Sequence, residues 1–266
     1  MIAQALAFIK RDYLLASTSR LSLIWQVLAV GFAVPTMYYL GRLVHPSSVP
    51  ALAAQGGDYF TFVVLGVAVA TFFSAMMGAC AAAIRTEQMG GTLETLFAMP
   101  TSLAVMAVGA SLWALLIAST QALFYLVLAS LVFPMHLDAN LPGVAAVLVL
   151  MAAAFVPLGM LSAAFVLLFR RPDILTGTLA SFSVLLAGVF YPTTVLPVGL
   201  QRMAEFLPLT HGLRALRLAA MRGMGPLALQ DDLLALLAFA VLLLPAAWLA
   251  CRLALHEARR SGALSG

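Results

Sequence analysis

The feature that most constrains this chain is a set of apolar runs as long as a membrane is thick. Crossing the hydrocarbon core takes roughly 20 apolar residues in a helix. Six stretches meet that requirement, at about 22–42, 60–84, 102–132, 142–169, 174–192 and 232–252, and none carries an acidic or basic residue in its central part. Arg42 and Arg252 stand at ends. The run at 102–132 is long enough to tilt or to begin in the interface, and Pro192 and Pro197 break whatever follows the fifth run. Composition agrees: 64% of the residues are hydrophobic and 9% charged, where a soluble domain has about 25% charged. The ten-residue alternation of an outer-membrane barrel is absent. The expected fold is therefore an all-α membrane protein with six transmembrane helices, forming a single domain over residues 1–266.

Charge placement gives the expected orientation. Nine basic residues (Lys10, Arg11, Arg20, Arg85, Arg170, Arg171, Arg252, Arg259, Arg260) share the side of the two termini. Five (Arg42, Arg202, Arg214, Arg217, Arg222) fall on the other side. The excess of arginine and lysine points to cytoplasmic termini in an inner or plasma membrane. The net charge of +4 is spread over loops and ends, so no basic patch suggests nucleic acid. Cys80 and Cys251 lie in or at the ends of apolar runs and suggest no disulfide framework.

The opening stretch MIAQALAFIKRDYLLASTSR has its basic residues after its apolar ones, opposite to a signal peptide. Ile2, Leu6, Ile9 and Tyr13 recur at helical spacing, which predicts an amphipathic interfacial helix on the cytoplasmic leaflet; a frayed terminus is the alternative. Between the fifth and sixth runs, residues 192–226 place Leu, Met and Phe at helical intervals, interrupted at Pro197, Pro208 and Gly212. A broken pair of short helices on the outer side fits that pattern. Arg214 and Arg217, three apart, share a face of its second half.

Several kinds of chemistry are missing. No GxxxxGK[ST] loop exists to cradle phosphate, and Lys10 is the only lysine, so the chain has no ATPase site of that type. All ten acidic residues and all four histidines lie outside the runs or at their ends, which removes the titratable relay that a proton-coupled carrier needs. Neither a nucleophile with its base nor metal-ligand spacing is present. The chain reads as a non-enzyme with no cofactor or metal of its own.

The stretch RTEQMGGTLETLFAMPTS, residues 85–102, joins the second and third runs on the cytoplasmic side. Gly90 and Gly91 allow a sharp turn, and Thr92 can cap a new helix. Glu94 sits in the first turn, where its charge suits the helix dipole. Leu93, Leu96 and Phe97 share a side, and Pro100 stops the element. The residues alone allow either a tight loop dipping into the headgroups or a short cytoplasmic docking helix.

The pattern Arg85, Glu87, Gly91-Thr92-Leu93-Glu94, Leu96, Pro100 resembles the connection between the second and third spans of ABC-2 type transporter permeases. Tyr191-Pro192, Leu196-Pro197, Leu207-Pro208-Leu209-Thr210 and Leu213-Arg214 to Arg217 are similar to that family's segment between spans five and six. The doubled Gly90-Gly91 departs from the single glycine more common there. The resemblance covers essentially the whole chain. It implies a permease subunit of an ABC exporter that pairs with a second copy, or a close relative, and with two cytoplasmic ATPase subunits, which bind the ATP and Mg. Arg85, Glu87, Gly91, Thr92, Leu93, Glu94, Leu96, Phe97 and Pro100 would then couple to those ATPases.

Uncharged spans suit a lipid-like, glycolipid or amphipathic drug-like substrate. Phe72, Phe73, Ser74, Tyr125, Phe182 and Ser183 are candidate pathway residues, with helix packing or an interfacial belt as the alternative for each. Gly66, Gly78, Gly177 and Gly188 permit close helix contact. Two other functions stay open: a membrane scaffold or assembly factor without transport activity, and a secondary carrier, which the charge-free spans disfavour.

Overall fold

A computed structural model describes residues 20–43, 58–89, 103–135, 137–169 and 172–260. Its architecture is all-helical among these residues. In chain order the helices are α1 (Arg20–Leu43), α2 (Tyr59–Met89), α3 (Leu103–Val132), α4 (Leu141–Phe169), α5 (Pro172–Leu186), α6 (Val198–Glu205), α7 (Pro208–Met221) and α8 (Gln230–Arg260). Short 3-10 turns at Thr193–Val195 and Pro226–Leu229 punctuate the second half.

Local chemistry accounts for where the helices start. Asp58 caps α2: its carboxylate accepts from the Phe60 backbone N–H at 3.1 Å and from the Thr61 hydroxyl. The Asn140 side-chain oxygen does the same for α4, accepting from Gly143 N–H at 2.9 Å. Pro208 opens α7 at a position where a missing N–H costs nothing. Asp231 and Asp232 occupy the first turn of α8, where the dipole favours them.

Four stretches among the described residues are long and apolar enough to cross a membrane: Tyr59–Ala83, Leu115–Val132, Leu141–Leu167 and Pro226–Ala254. That is fewer than the six expected, and the fifth run departs most. It forms only the 15 residues of α5, which at about 1.5 Å per residue falls short of the core thickness. The chain then reverses at Gly188, whose φ of +75° is a left-handed conformation that other residues rarely adopt. Past the reversal, α6 and α7 fold back against the bundle as the two pieces of the broken helical segment.

The bundle is organised around α2, which packs on α3, α4, α5, α7 and α1, while the most extensive helix pair is α4 with α8. Phe62, Met76, Met151 and Phe155 are fully buried in this core. Close crossings depend on small residues. A Cβ on Gly159 of α4 would stand 2.5 Å from the Met76 carbonyl of α2, and one on Gly212 of α7 would stand 2.7 Å from Met151 of α4. Both crossings exclude any larger side chain without movement.

Candidate functional site

Because α2 sits at the centre, most of its surface is covered. What remains open is one narrow face, where Thr71, Ser74, Ala82 and Arg85 are exposed and Gly78 is partly covered. These positions recur at steps of three and four, one stripe of a helix. Opposite them lies the exposed side of α5 with Gly177, Thr178 and Ser181.

Between the two helices runs a groove of two adjoining cavities, of about 620 and 480 Å³. Ser74 and Ser181 line both. Phe190 and Val67 belong to one end and Arg85 to the other. From Val67 to Arg85 is 18 helical residues, about 27 Å at 1.5 Å each, close to the depth of a hydrocarbon core. Among the described residues, Arg85 is the one ionisable residue in the lining. Hydroxyls and glycines on a surface bathed in lipid chains gain nothing, so this stripe suits water, substrate or another protein surface.

The pathway candidates named from sequence separate into two groups. Ser74 lines the groove throughout, Phe182 is 55% exposed on α5, and the Ser183 hydroxyl donates to the Leu179 carbonyl at 2.7 Å. Phe72 and Phe73 are turned into the bundle, with ring centroids 6.0 and 4.9 Å from that of Phe155. Tyr125 is buried between α1, α2 and α3, its hydroxyl donating to the Met37 sulfur at 3.2 Å. Thr71, Gly78, Gln121, Gly177 and Ser181 line cavities without having been singled out as pathway residues. The signal available for α2 was the helical recurrence of small and hydroxyl residues from Thr71 to Arg85.

Of the coupling residues, Arg85 lies exposed near the end of α2, and Glu87 falls within the same helix. Gly91, Thr92, Leu93, Glu94, Leu96, Phe97 and Pro100 lie outside the described residues, as does the expected N-terminal interfacial helix.

The segment after α5 is held by two polar clusters. In the first, Arg217 of α7 is 3% exposed and has no carboxylate partner among the described residues. Its guanidinium donates to the carbonyls of Gly188 at 3.0 Å, Val189 at 2.8 Å and Phe62 at 3.1 Å. It also lies 3.3 Å above the centre of the Phe62 ring. Burial pushes its pKa down from the ordinary arginine value. Gly66 makes room for this arrangement, since a Cβ there would come within 2.7 Å of the guanidinium. Tyr59 adds a bond from its hydroxyl to the Phe190 carbonyl at 3.0 Å. The reversal after α5 is thereby fastened to the start of α2.

In the second cluster, Asp232 of α8 accepts from Arg214 Nε at 3.0 Å on both oxygens and from His211 Nδ1 at 3.0 Å. The His211 Nε2 meets the Glu205 carbonyl at 3.0 Å, so α6, α7 and α8 share one knot. The hydrogen bond to Asp232 raises the His211 pKa above its ordinary value, and the same carboxylate raises that of Arg214.

The described helices, four of them long and apolar enough to cross a membrane, with a groove and a folded-back segment beside them, outline a multi-pass membrane protein. The model of the ABC-2 type transporter family matches residues 3–221, and the chain belongs to that family. It is the membrane-embedded permease component of an ABC transport system, a class that works with an ABC ATPase. A comparison with curated proteins finds no match.

Proposed function

We propose that this chain is the permease half of an exporter that moves a lipid-like, glycolipid or amphipathic drug-like substrate across or out of the inner membrane. Two copies, or this chain and a close relative, pair in the membrane with both termini in the cytoplasm. Two cytoplasmic ATPase subunits supply the driving force, binding ATP and Mg themselves. Their contact with the permease is the 85–100 stretch, where Glu87 and Glu94 offer charge and Leu93, Leu96 and Phe97 offer apolar surface.

The observation that carries this reading is the open face of α2. A helix otherwise enclosed by its neighbours leaves bare one stripe of small and hydroxyl residues, and that stripe forms one wall of the groove. With a second copy against it, the groove becomes a closed passage with uncharged walls over most of its length. Such walls suit an amphiphile better than an ion. Arg85 ends the passage beside the stretch assigned to ATPase contact.

The experiment is co-purification of the tagged chain with its candidate ATPase, comparing wild type with a Glu94→Arg, Leu96→Asp double variant whose folding is checked in parallel. Capture by wild type and loss in the variant supports the docking role. Equal capture by both removes the coupling point. No capture by wild type, in conditions that preserve membrane complexes, favours a scaffold or assembly factor.

A further inference from the structure

A third cavity, about 230 Å³, lies on the other side of the α2 stripe, lined by Ala29 and Ala33 of α1, Ala68 and Thr71 of α2, and Gln121, Ala122, Phe124 and Tyr125 of α3. Its lining is mostly alanine and aromatic carbon. Two polar residues, Thr71 and Gln121, belong both to this cavity and to the groove between α2 and α5. They stand where the two spaces meet.

Their depth matters. Thr71 is at the middle of the Tyr59–Ala83 span, and Gln121 lies within Leu115–Val132. A side-chain amide at that depth is unfavourable unless its donors and acceptor are used. No hydrogen bond to the Gln121 amide is present among the described residues. The Thr71 hydroxyl spends its proton on the Val67 carbonyl at 2.9 Å, so toward the cavity it offers lone pairs only. Gln121 offers two N–H groups and one carbonyl. Among the described residues, no carboxylate, lysine, arginine or histidine lines the slot or the adjoining half of the groove, and Arg85 stands at the groove's far end.

We propose that the α1–α2–α3 slot takes the apolar arm of an uncharged amphiphile whose polar group is bound by Gln121 and Thr71. The polar group must donate a hydrogen bond to Thr71 and both donate to and accept from Gln121. A head with two hydroxyls, such as glycerol, or a primary carboxamide meets that demand. A phosphate diester has no proton to give, and a quaternary ammonium has neither a donor nor an acceptor. The head would then lie at the mouth of the α2–α5 groove with its chain held among alanines, a loading position beside the passage. This assignment rests on reading that groove as the pathway and narrows the substrate class.

The test is photolabelling of the full-length chain in phosphatidylcholine nanodiscs, without ATPase or ATP, so that binding is measured apart from transport. The probes share one diazirine-bearing acyl chain and differ in head: glycerol, phosphodiester or trimethylammonium. Labelled peptides are mapped by mass spectrometry. Saturable labelling by the glycerol probe concentrated on the Ala29–Ala33 and Ala122–Tyr125 regions is expected. Gln121→Leu should weaken it about tenfold, the equivalent of one or two hydrogen bonds. Ala33→Phe, which fills the slot from α1, should abolish it while the thermal midpoint stays close to wild type. Equal labelling by all three heads, or unsaturable labelling spread over the lipid-facing sides of α1, α3 and α8, would overturn the site. So would an unchanged affinity in both variants. Failure here would leave the groove and ATPase reading to the co-purification assay, which does not depend on Gln121.

Discussion

Replacing Arg217 tests the most consequential interaction in the fold. Three carbonyls from two distant parts of the chain converge on one guanidinium, and the Phe62 ring lies beneath it. Truncation to alanine leaves those carbonyls without that donor in a dry site, at about 1–3 kcal/mol each. The lost ring contact adds about 2 kcal/mol. Against this, the variant no longer buries a cation that lacks a counter-charge, a relief of several kcal/mol. The carbonyls and the ring together outweigh the relief, leaving a net loss of about 3–5 kcal/mol. On the scale of about 2–4 °C per kcal/mol for large domains, the midpoint should fall by roughly 10 °C. Arg217→Met, which keeps the length and removes both the charge and its burial penalty, should lose less. Arg217→Lys keeps the charge but cannot spread over the ring or reach all three carbonyls, so it should fall between. The assay is thermal unfolding of the detergent-solubilised chain, read alongside amide exchange at residues 187–191. Faster exchange there in the alanine and methionine variants is the expected signature. If Arg217→Met leaves both the midpoint and that exchange at wild-type values, the guanidinium does not fasten the reversal, and the reasoning fails.

Three further substitutions follow from the same segment. Gly188→Ala forces a side chain onto a backbone at φ +75° with its Cβ 2.7 Å from the Tyr191 carbonyl. It should destabilise by about 1–3 kcal/mol, whereas Gly199→Ala, with nothing within 4 Å, should be neutral or slightly stabilising in the same thermal assay. The His211 pKa is raised in the folded chain by its bond to Asp232, so its contribution is complete below about pH 6.5, the ordinary histidine value, and is lost as pH rises through the raised one. Comparing thermal midpoints at pH 5.5 and 8.5, wild type should lose more stability at the higher pH than His211→Gln; equal losses would show that the histidine does not link to folding.

Much of the architecture was legible because hydrophobic length is a strong signal. The runs at 60–84, 102–132, 142–169 and 232–252 correspond to α2, α3, α4 and α8 within a few residues at most ends, and α8 continues to Arg260 because its last turns extend past the apolar stretch. The run at 174–192 differs from a single continuous helix for a specific reason. Hydropathy sums apolar residues without registering that Gly188 turns the chain back, so one apparent span became a 15-residue helix and a reversal. Arg214 and Arg217 show the limit of spacing arguments. Both were placed on one face of a helix, yet Arg214 reaches outward to Asp232 while Arg217 is enclosed. The difference is set by Phe62, 155 positions away in sequence, which no local pattern reveals. The aromatic candidates illustrate the same point. On a helix enclosed by neighbours, large apolar side chains such as Phe72 and Phe73 serve the packed sides, and the open side is left to small and hydroxyl residues.

The placement of the polar contacts suggests how the groove can change shape. At its Phe190 end, α5 passes into a reversal held by Arg217 to the start of α2, and α7 is tied in turn to α8 through Asp232. At the Arg85 end, the hydroxyls of Ser162 on α4 and Thr176 on α5 share a neutral hydrogen bond of 2.9 Å. Neutral hydrogen bonds are about half as strong as charge-assisted ones, and the clamp at the other end has three of the latter plus a ring contact. If α2 and α5 separate, the Phe190 end is therefore held by a charge-assisted clamp. The Arg85 end adjoins the stretch proposed for ATPase contact, so a push delivered there would act on the groove with the Gly188 reversal as the fixed point.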